Sequence, residues 1–304
     1  MTAAFKSGSS AVGKLAGKNR PQKRGRGKAS EHILKALTWG AAGFSAAVLV
    51  FLVAFILIKG IPHIRLSLFS AVYTSENVSL TPALISTCLM TALSLAIAVP
   101  LGVCAAIWLV EYAKRGSTFV GLIRLTAETL AGIPSIVYGL FGLLFFVTFL
   151  GWGFSVLSGA FTLSVMILPL ILRSSEEALA SVPDIWREGA FALGAGKLRA
   201  VFKIVLPASA PGILAGLILA IGRIVGETAA LIYTAGTVAQ IPHTTMQSAR
   251  TLSVHMYALS SEGFHSGEAF ATAAVLLVLV VLINTASAAL TKLLFSKNDA
   301  RGTK

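Results

Sequence analysis

Long uncharged stretches alternate with short charged ones along this chain, and the lengths of the uncharged stretches predict its elements. A hydrocarbon core of about 30 Å is crossed by about 20 apolar residues in a helix rising about 1.5 Å per residue. Residues 36–58 make one such span. Residues 83–110, inside the charge-free interval between Glu76 and Glu111, make a second. No charged residue occurs from Thr129 to Leu172; as one helix this run would measure about 66 Å, twice what a bilayer needs. The GWG at 151–153 is therefore expected to turn the chain between spans at 129–150 and 153–172. Residues 208–234 and 269–291 complete six predicted spans, an all-α integral membrane protein with both ends on one side.

Composition agrees with that class: 56% hydrophobic and 12% charged residues in 304 is outside the balance of a soluble domain. Of the 25 Lys and Arg, 21 fall in residues 1–35, 111–128, 173–203 and after 291, whereas Lys59, Arg65 and Arg250 fall on the other side. That asymmetry predicts cytoplasmic termini. It also explains the net charge of +13 without a nucleic-acid partner. The basic tail, residues 1–35, has no aromatic interleaving and abuts the first span, which predicts a disordered cytoplasmic topology signal touching anionic lipid. The first apolar run is too long and lies too far in for a cleaved signal peptide. Cys88 and Cys104, both in the second span, would sit about 24 Å apart along one helix, beyond the about 7 Å that a disulfide allows. The five histidines lack metal-ligand spacing, so no metal is expected.

Residues 220–233, AIGRIVGETAALIY, place two full charges inside an apolar stretch. Each costs about 2.5–3.5 kcal/mol at a helix centre, which disfavours exposure to lipid. Arg223 and Glu227 are predicted to share one helix face as an i, i+4 pair, in the less favourable order. Gly212 with Gly216, and Gly222 with Gly226, are small-xxx-small pairs that permit close approach of another helix and move this span to the bundle centre. Two readings stand. Either the pair is structural and fixes bundle register, or Arg223 meets an anionic solute along a pathway while Glu227 balances or gates it. A guanidinium suits an oxyanion because its planar fork reaches two oxygens at once. In AGIPSIVYG, Pro134 frees a carbonyl of the preceding turn, and Ser135 and Tyr138 add hydroxyl groups; the kink either lines the pathway or only packs.

Between the fourth and fifth spans the chain reads SVPDIWREGAFALGAGKLRAVFKIVLP, residues 181–207. Ser181 as a cap, Pro183 in the first turn and Asp184 behind it predict a helix start. Gly194 supplies a break, after which Leu198, Val201, Phe202 and Val205 recur at helical spacing. Two short amphipathic helices at a glycine elbow fit a membrane surface or a cytoplasmic partner equally.

The residues Glu188, Gly189, Ala190, then Gly194, then Ile204 to Pro207, resemble the EAA loop of ABC importer permeases; Gly189 departs from the pattern, which has Ala there. That resemblance implies a type I ABC importer permease fold, with the first short helix docking through Glu188, Gly189, Ala190 and Gly194 onto an ATP-hydrolysing subunit. From 83 to 295 the chain is similar to phosphate-specific ABC permeases, and GRIVGETAALIYTAG with AGIPSIVYGLFGL resembles the PstA type more than the PstC type. The resemblance implies a permease subunit for inorganic phosphate in a bacterial cytoplasmic (inner) membrane. Its partners would be a PstC-like permease, two PstB-like ATP-binding subunits and an extracytoplasmic PstS-like phosphate-binding protein. The residues by themselves reach only an anion.

No ATP site is expected in the chain itself. GSSAVGKL at 8–15 carries Leu15 where a Walker A loop needs Ser or Thr, and the longest cytoplasmic connection is too short for a domain of at least about 50 residues. The chain is therefore expected to be no enzyme and to hold no cofactor, with ATP and magnesium in the partner ATPase. Rival readings are a permease for sulfate, molybdate or phosphonate, a secondary anion transporter driven by a proton on Glu227, and a membrane scaffold that explains the loop but not Arg223.

Overall fold

The computed structural model describes residues 27–114 and 116–299, and among them every regular element is helical. Residues 1–26 of the basic tail lie outside the described residues. The chain falls into two units, up to Phe55 and from Ile56. Helix α1 (Gly27–Gly60) begins in the first and runs into the second; up to Phe55 it presents large apolar side chains all round, Trp39, Phe44 and Phe51 among them, and these are exposed. A helix that is hydrophobic on every side is a membrane helix.

The second unit holds α2 (Thr81–Ile107), extended by a π-helical turn to Tyr112, then α3 (Thr118–Ala131) and α4 (Ser135–Gly142), itself extended to Phe149. Next come α5 (Val156–Ala180), α6 (Asp184–Ala192), α7 (Lys197–Ala200), α8 (Leu206–Val225), α9 (Ala229–Ile232), α10 (Leu252–Glu262) and α11 (Ser266–Asp299). Among the described residues five stretches are long and apolar enough to cross a membrane: Glu31–His63, Thr81–Tyr112, Val156–Ala180, Lys197–Val225 and Ser266–Ser287. A sixth exists only if α3 and α4, bent by 99°, are one broken span.

The structure changes the bounds of three predicted spans and the reading of the 181–207 segment. The predicted span at 129–150 is not one helix. Pro134, with ψ 142°, leaves the helical course, and α4 starts afresh at Ser135, because proline has no N–H to continue the ladder. The span predicted at 153–172 runs on as helix to Ala180, past Arg173, Glu176 and Glu177. Charge ends an apolar stretch without ending a helix. Ser181 accordingly closes α5, its hydroxyl donating to Ala178 O at 2.7 Å, and does not cap the next helix. The span predicted at 208–234 ends at Val225, while at its other end it continues without interruption from Lys197 through a π-helical turn. The second amphipathic helix of the 181–207 segment is thus the beginning of that long helix. The GWG stretch does form a turn, with Gly151 at φ 67° and Gly153 at φ 62°, where Trp152 stacks on Phe146 at 5.5 Å.

α5 sits between α2 and α8. Ser94 Oγ donates to Ala160 O at 3.2 Å and Ser164 Oγ donates to Ser94 O at 3.1 Å, tying α2 to α5. On the other flank Gly212 and Gly216 face Ala178 and Ser174; a Cβ at Gly216 would lie 2.0 Å from Ser174 Oγ. The first small-residue pair is therefore used within this chain. At the second, a Cβ on Gly222 would meet nothing. Replacing Gly216 with Val should overpack the α5–α8 crossing and destabilise the fold by about 1–3 kcal/mol, seen as a lower Tm of the detergent-solubilised protein. Gly222→Ala should leave Tm unchanged.

Candidate functional site

Helix α8 stops just where the sequence changes from IGRIV to GETAA. Gly226 closes it, its N–H donating to Gly222 O at 3.2 Å, and Glu227 and Thr228 bridge to the short α9. Arg223, in the last turn of α8, and Glu227 are therefore not an i, i+4 pair on one helix face, which corrects the sequence expectation. The helix closes at Gly226, still in the right-handed region at φ −85°, and the chain leaves the helical course by Thr228, at φ −123°.

The two charges consequently have different surroundings. Glu227 is buried at 8% exposure. Its Oε1 accepts the Ala230 N–H at 3.1 Å at the start of α9, and its backbone carbonyl accepts the Ser253 hydroxyl at 2.6 Å. Arg223 is exposed and makes no hydrogen bond or ion pair among the described residues. Its charge does reach the phenol of Tyr138.

Tyr138 stands behind the kink that Pro134 makes. Its hydroxyl donates to Leu130 O at 2.8 Å, the carbonyl that residue 134 would have bonded in an unbroken helix. α4 then packs on α9 at backbone distance: a Cβ at Gly139 would lie 2.8 Å from Ala230 Cα. Ser135 is half-buried at the start of α4. The structure thus gathers Arg223, Glu227 and Tyr138 around α9, with Ser135 at the near end of α4.

Sequence reasoning missed Arg250. Counted there as a loop cation, it is buried at 5% exposure, 4.6 Å from the centre of the Tyr73 ring, with Nε and Nη2 bonded to no described residue. The segment that carries it turns back into the bundle, where the Leu252 N–H donates to Thr87 Oγ1 at 2.8 Å. The apolar run around His255 was the available signal. That imidazole is fully buried, and burial followed by the nearby Arg250 charge pushes its pKa down to about 3.

On the opposite flank, the 181–207 segment turns at Gly194, whose φ of 80° is the left-handed conformation that glycine adopts freely. Glu188 and Gly189 are exposed on α6 while Ala190 is buried. A Cβ at Gly189 would meet nothing, so the departure from Ala there leaves the fold of the loop unaffected.

The family described as "Binding-protein-dependent transport system inner membrane component" matches residues 98–298. The chain belongs to this family. It is a multi-pass ABC importer permease of the binding-protein-dependent type, a membrane component and not the enzyme of such a system. The chain is 33% identical over 280 residues to a probable ABC transporter permease, YqgI of Bacillus subtilis, covering 85% of this chain and 94% of that one. With the phosphate transport system permease protein PstA of Xylella fastidiosa (strain Temecula1) it shares 33% over 236 residues, covering 76% of this chain and 82% of the relative. Among solved structures, a bacterial alginate ABC transporter bound to its periplasmic protein has a chain of similar fold, with a TM-score of 0.60 at 20% identity, covering 86% of this chain and 96% of that one.

His255 yields a signed pH dependence. The unfolded chain takes a proton near pH 6.5 that the folded chain refuses until about pH 3, so stability is retained above about 6.5 and lost progressively as pH falls toward 3. Chemical denaturation of the solubilised permease between pH 7 and 4 should show that loss, and His255→Leu should flatten it.

Proposed function

We propose that this chain is the permease subunit of an ATP-driven importer of inorganic phosphate, forming half of the translocation pathway and coupling to a separate ATPase. The observation that carries the solute assignment is Arg223. It is an exposed guanidinium without an ion-pair partner among the described residues, at the end of a helix long and apolar enough to cross a membrane. A cation so placed needs an anion once water is excluded, and its donor fork suits a tetrahedral oxyanion. Gly222 and Gly226 flank it and leave this face of α8 open within the chain, as half of a pathway shared with a homologous, PstC-like permease would require. The phosphate transport name of the PstA relative supports phosphate among oxyanions.

Glu227, held by α9 and α10, acts as a fixed cap beside the pathway and not as a mobile proton carrier. Tyr138 gives its proton to Leu130, so its contribution is to hold the kink and offer an oxygen near Arg223; Ser135 offers a free hydroxyl. Coupling runs through α6. There Ile185 and Trp186 are 70% and 50% exposed beside Glu188, an apolar and acidic surface for a PstB-like ATPase that holds the ATP and magnesium. A PstS-like protein delivers phosphate from the other side.

Uptake by the reconstituted four-component system tests the reading. Arg223→Gln should lower phosphate uptake by about two orders of magnitude while the complex still copurifies; full uptake by the variant removes Arg223 from the pathway. Sulfate should compete poorly, and equal competition would widen the solute to oxyanions in general. Glu188→Ala should abolish solute-stimulated ATP hydrolysis, whereas unchanged stimulation would move the docking contact elsewhere.

A further inference from the structure

One arginine in the loop segment has every donor occupied. Arg187, on α6, donates through Nε to Glu111 Oε1 at 2.9 Å, and its Nη2 lies 2.8 Å from the same oxygen. Nη2 also donates to Leu179 O at 3.0 Å, and Nη1 donates to Val182 O at 2.6 Å and to Asp184 Oδ1 at 3.1 Å. A guanidinium has five N–H groups, and these contacts use all five. The side chains are 13% exposed for Arg187 and 7% for Glu111, so the pair is largely removed from water.

The partners belong to three different elements. Glu111 is in the π-helical turn that ends α2, Leu179 and Val182 are at the end of α5, and Asp184 begins α6 itself. The backbone of α6 packs chiefly on the 197–205 segment, and a hollow of about 820 Å³ opens beside α6 between the ends of α2, α3 and α5. Across that gap the connection to α2 and α5 is the long Arg187 side chain. A second route exists through the C-terminal half of the loop: Val201 and Val205 pack with Ala106, Ile107, Leu179 and Val182, and Lys197 Nζ sits 4.9 Å above the Tyr112 ring.

We infer that Arg187 is the positioning residue that makes α6 and the ends of α2 and α5 move as one body when a partner displaces α6. Rigid transmission demands a contact that cannot slide. A planar fork with all five donors engaged, two of them on a single buried carboxylate, fixes both distance and orientation, whereas a lone ammonium would fix only distance. Removing one member leaves the other charge buried without compensation, so the two residues act as a unit. Because α8 is continuous with the 197–205 segment, displacement of α6 then reaches three membrane helices together, and the third of them carries Arg223 in its last turn.

This inference rests on the reading that α6 docks an ATPase, and the experiment separates the two. The complete importer is reconstituted in vesicles with the wild-type chain, Arg187→Gln, Arg187→Lys or Glu111→Gln. Copurification of the ATPase, ATP hydrolysis, and phosphate taken up per ATP hydrolysed are each measured. Arg187→Gln should leave assembly and hydrolysis in place but reduce uptake per ATP by roughly tenfold, with Arg187→Lys only partly restoring it. Should Arg187→Gln fail to accumulate, Glu111→Gln, which keeps an acceptor oxygen and removes the charge, should show the same loss of coupling in assembled complexes. Wild-type uptake per ATP in every assembled variant overturns the inference, including the case where only Tm falls. Absence of ATP-driven uptake with the wild-type chain overturns the docking reading and the inference with it.

Discussion

Glycine and serine at the crossings bring α2 and α8 onto α5 at near-backbone distance, and the positions of both charged clusters descend from that closeness. In lipid there is no hydrophobic force to press helices together, so dispersion at short range and a few interhelical hydrogen bonds must hold them. Gly212 and Gly216 against Ala178 and Ser174 set the register of α8 on α5. With that register set, the end of α8 and the start of the loop segment fall where α5 and α2 can meet them. The same device recurs at the broken elements, where Gly139 lets α4 lie on Ala230 and Gly142 lies against Thr162 and Thr234.

Two interruptions of helix then act together. Pro134 breaks the α3–α4 run and Gly226 breaks the α8–α9 run, and the pieces beyond the breaks pack on each other. Tyr138 closes the carbonyl freed at the first break, and the Glu227 carboxylate holds an N–H near the second. Backbone polar groups at such depth need internal partners, and these side chains provide them. Breaking the helix between Arg223 and Glu227 also separates the charges. An unbroken helix would have let them neutralise each other across one face.

The sequence carried the long spans because charge-free length reports directly on membrane thickness, and it carried the glycine elbow at 194 because only a residue without Cβ takes φ 80° freely. It did not carry the broken spans. Apolar length measures polarity and is blind to backbone continuity, so Pro134 was legible only as a kink and Gly226 only as a packing glycine, not as the places where two helices end. Of the candidate site, Arg223 was legible as a misplaced charge, but the exposure of Arg223 and the capping contact of Glu227 depend on where α8 ends. Arg250 and Arg187 were illegible for a different reason. Their burial is made by partners distant in sequence, Tyr73 for one and Glu111 for the other, and a one-dimensional charge pattern cannot report such pairings.

The arginines of this chain divide by how their donors are met, and that division has mechanical meaning. Arg187 has five occupied donors and a buried carboxylate, so any movement of one partner must carry the others or break several bonds at once. Arg223 has none occupied among the described residues, which on the proposed reading lets it accept and release an anion without dismantling the fold. Arg187 lies on α6, before the turn at Gly194, and the helical run that carries Arg223 in its last turn begins after that turn, at Lys197, and extends about 43 Å at about 1.5 Å per residue. A satisfied cation makes a joint and an unsatisfied one makes a binding group. On the proposed reading α6 carries the joint, the 197–205 start of the long helix packs beside it, and a push on the loop then changes the surroundings of the anion at the other end of that helix.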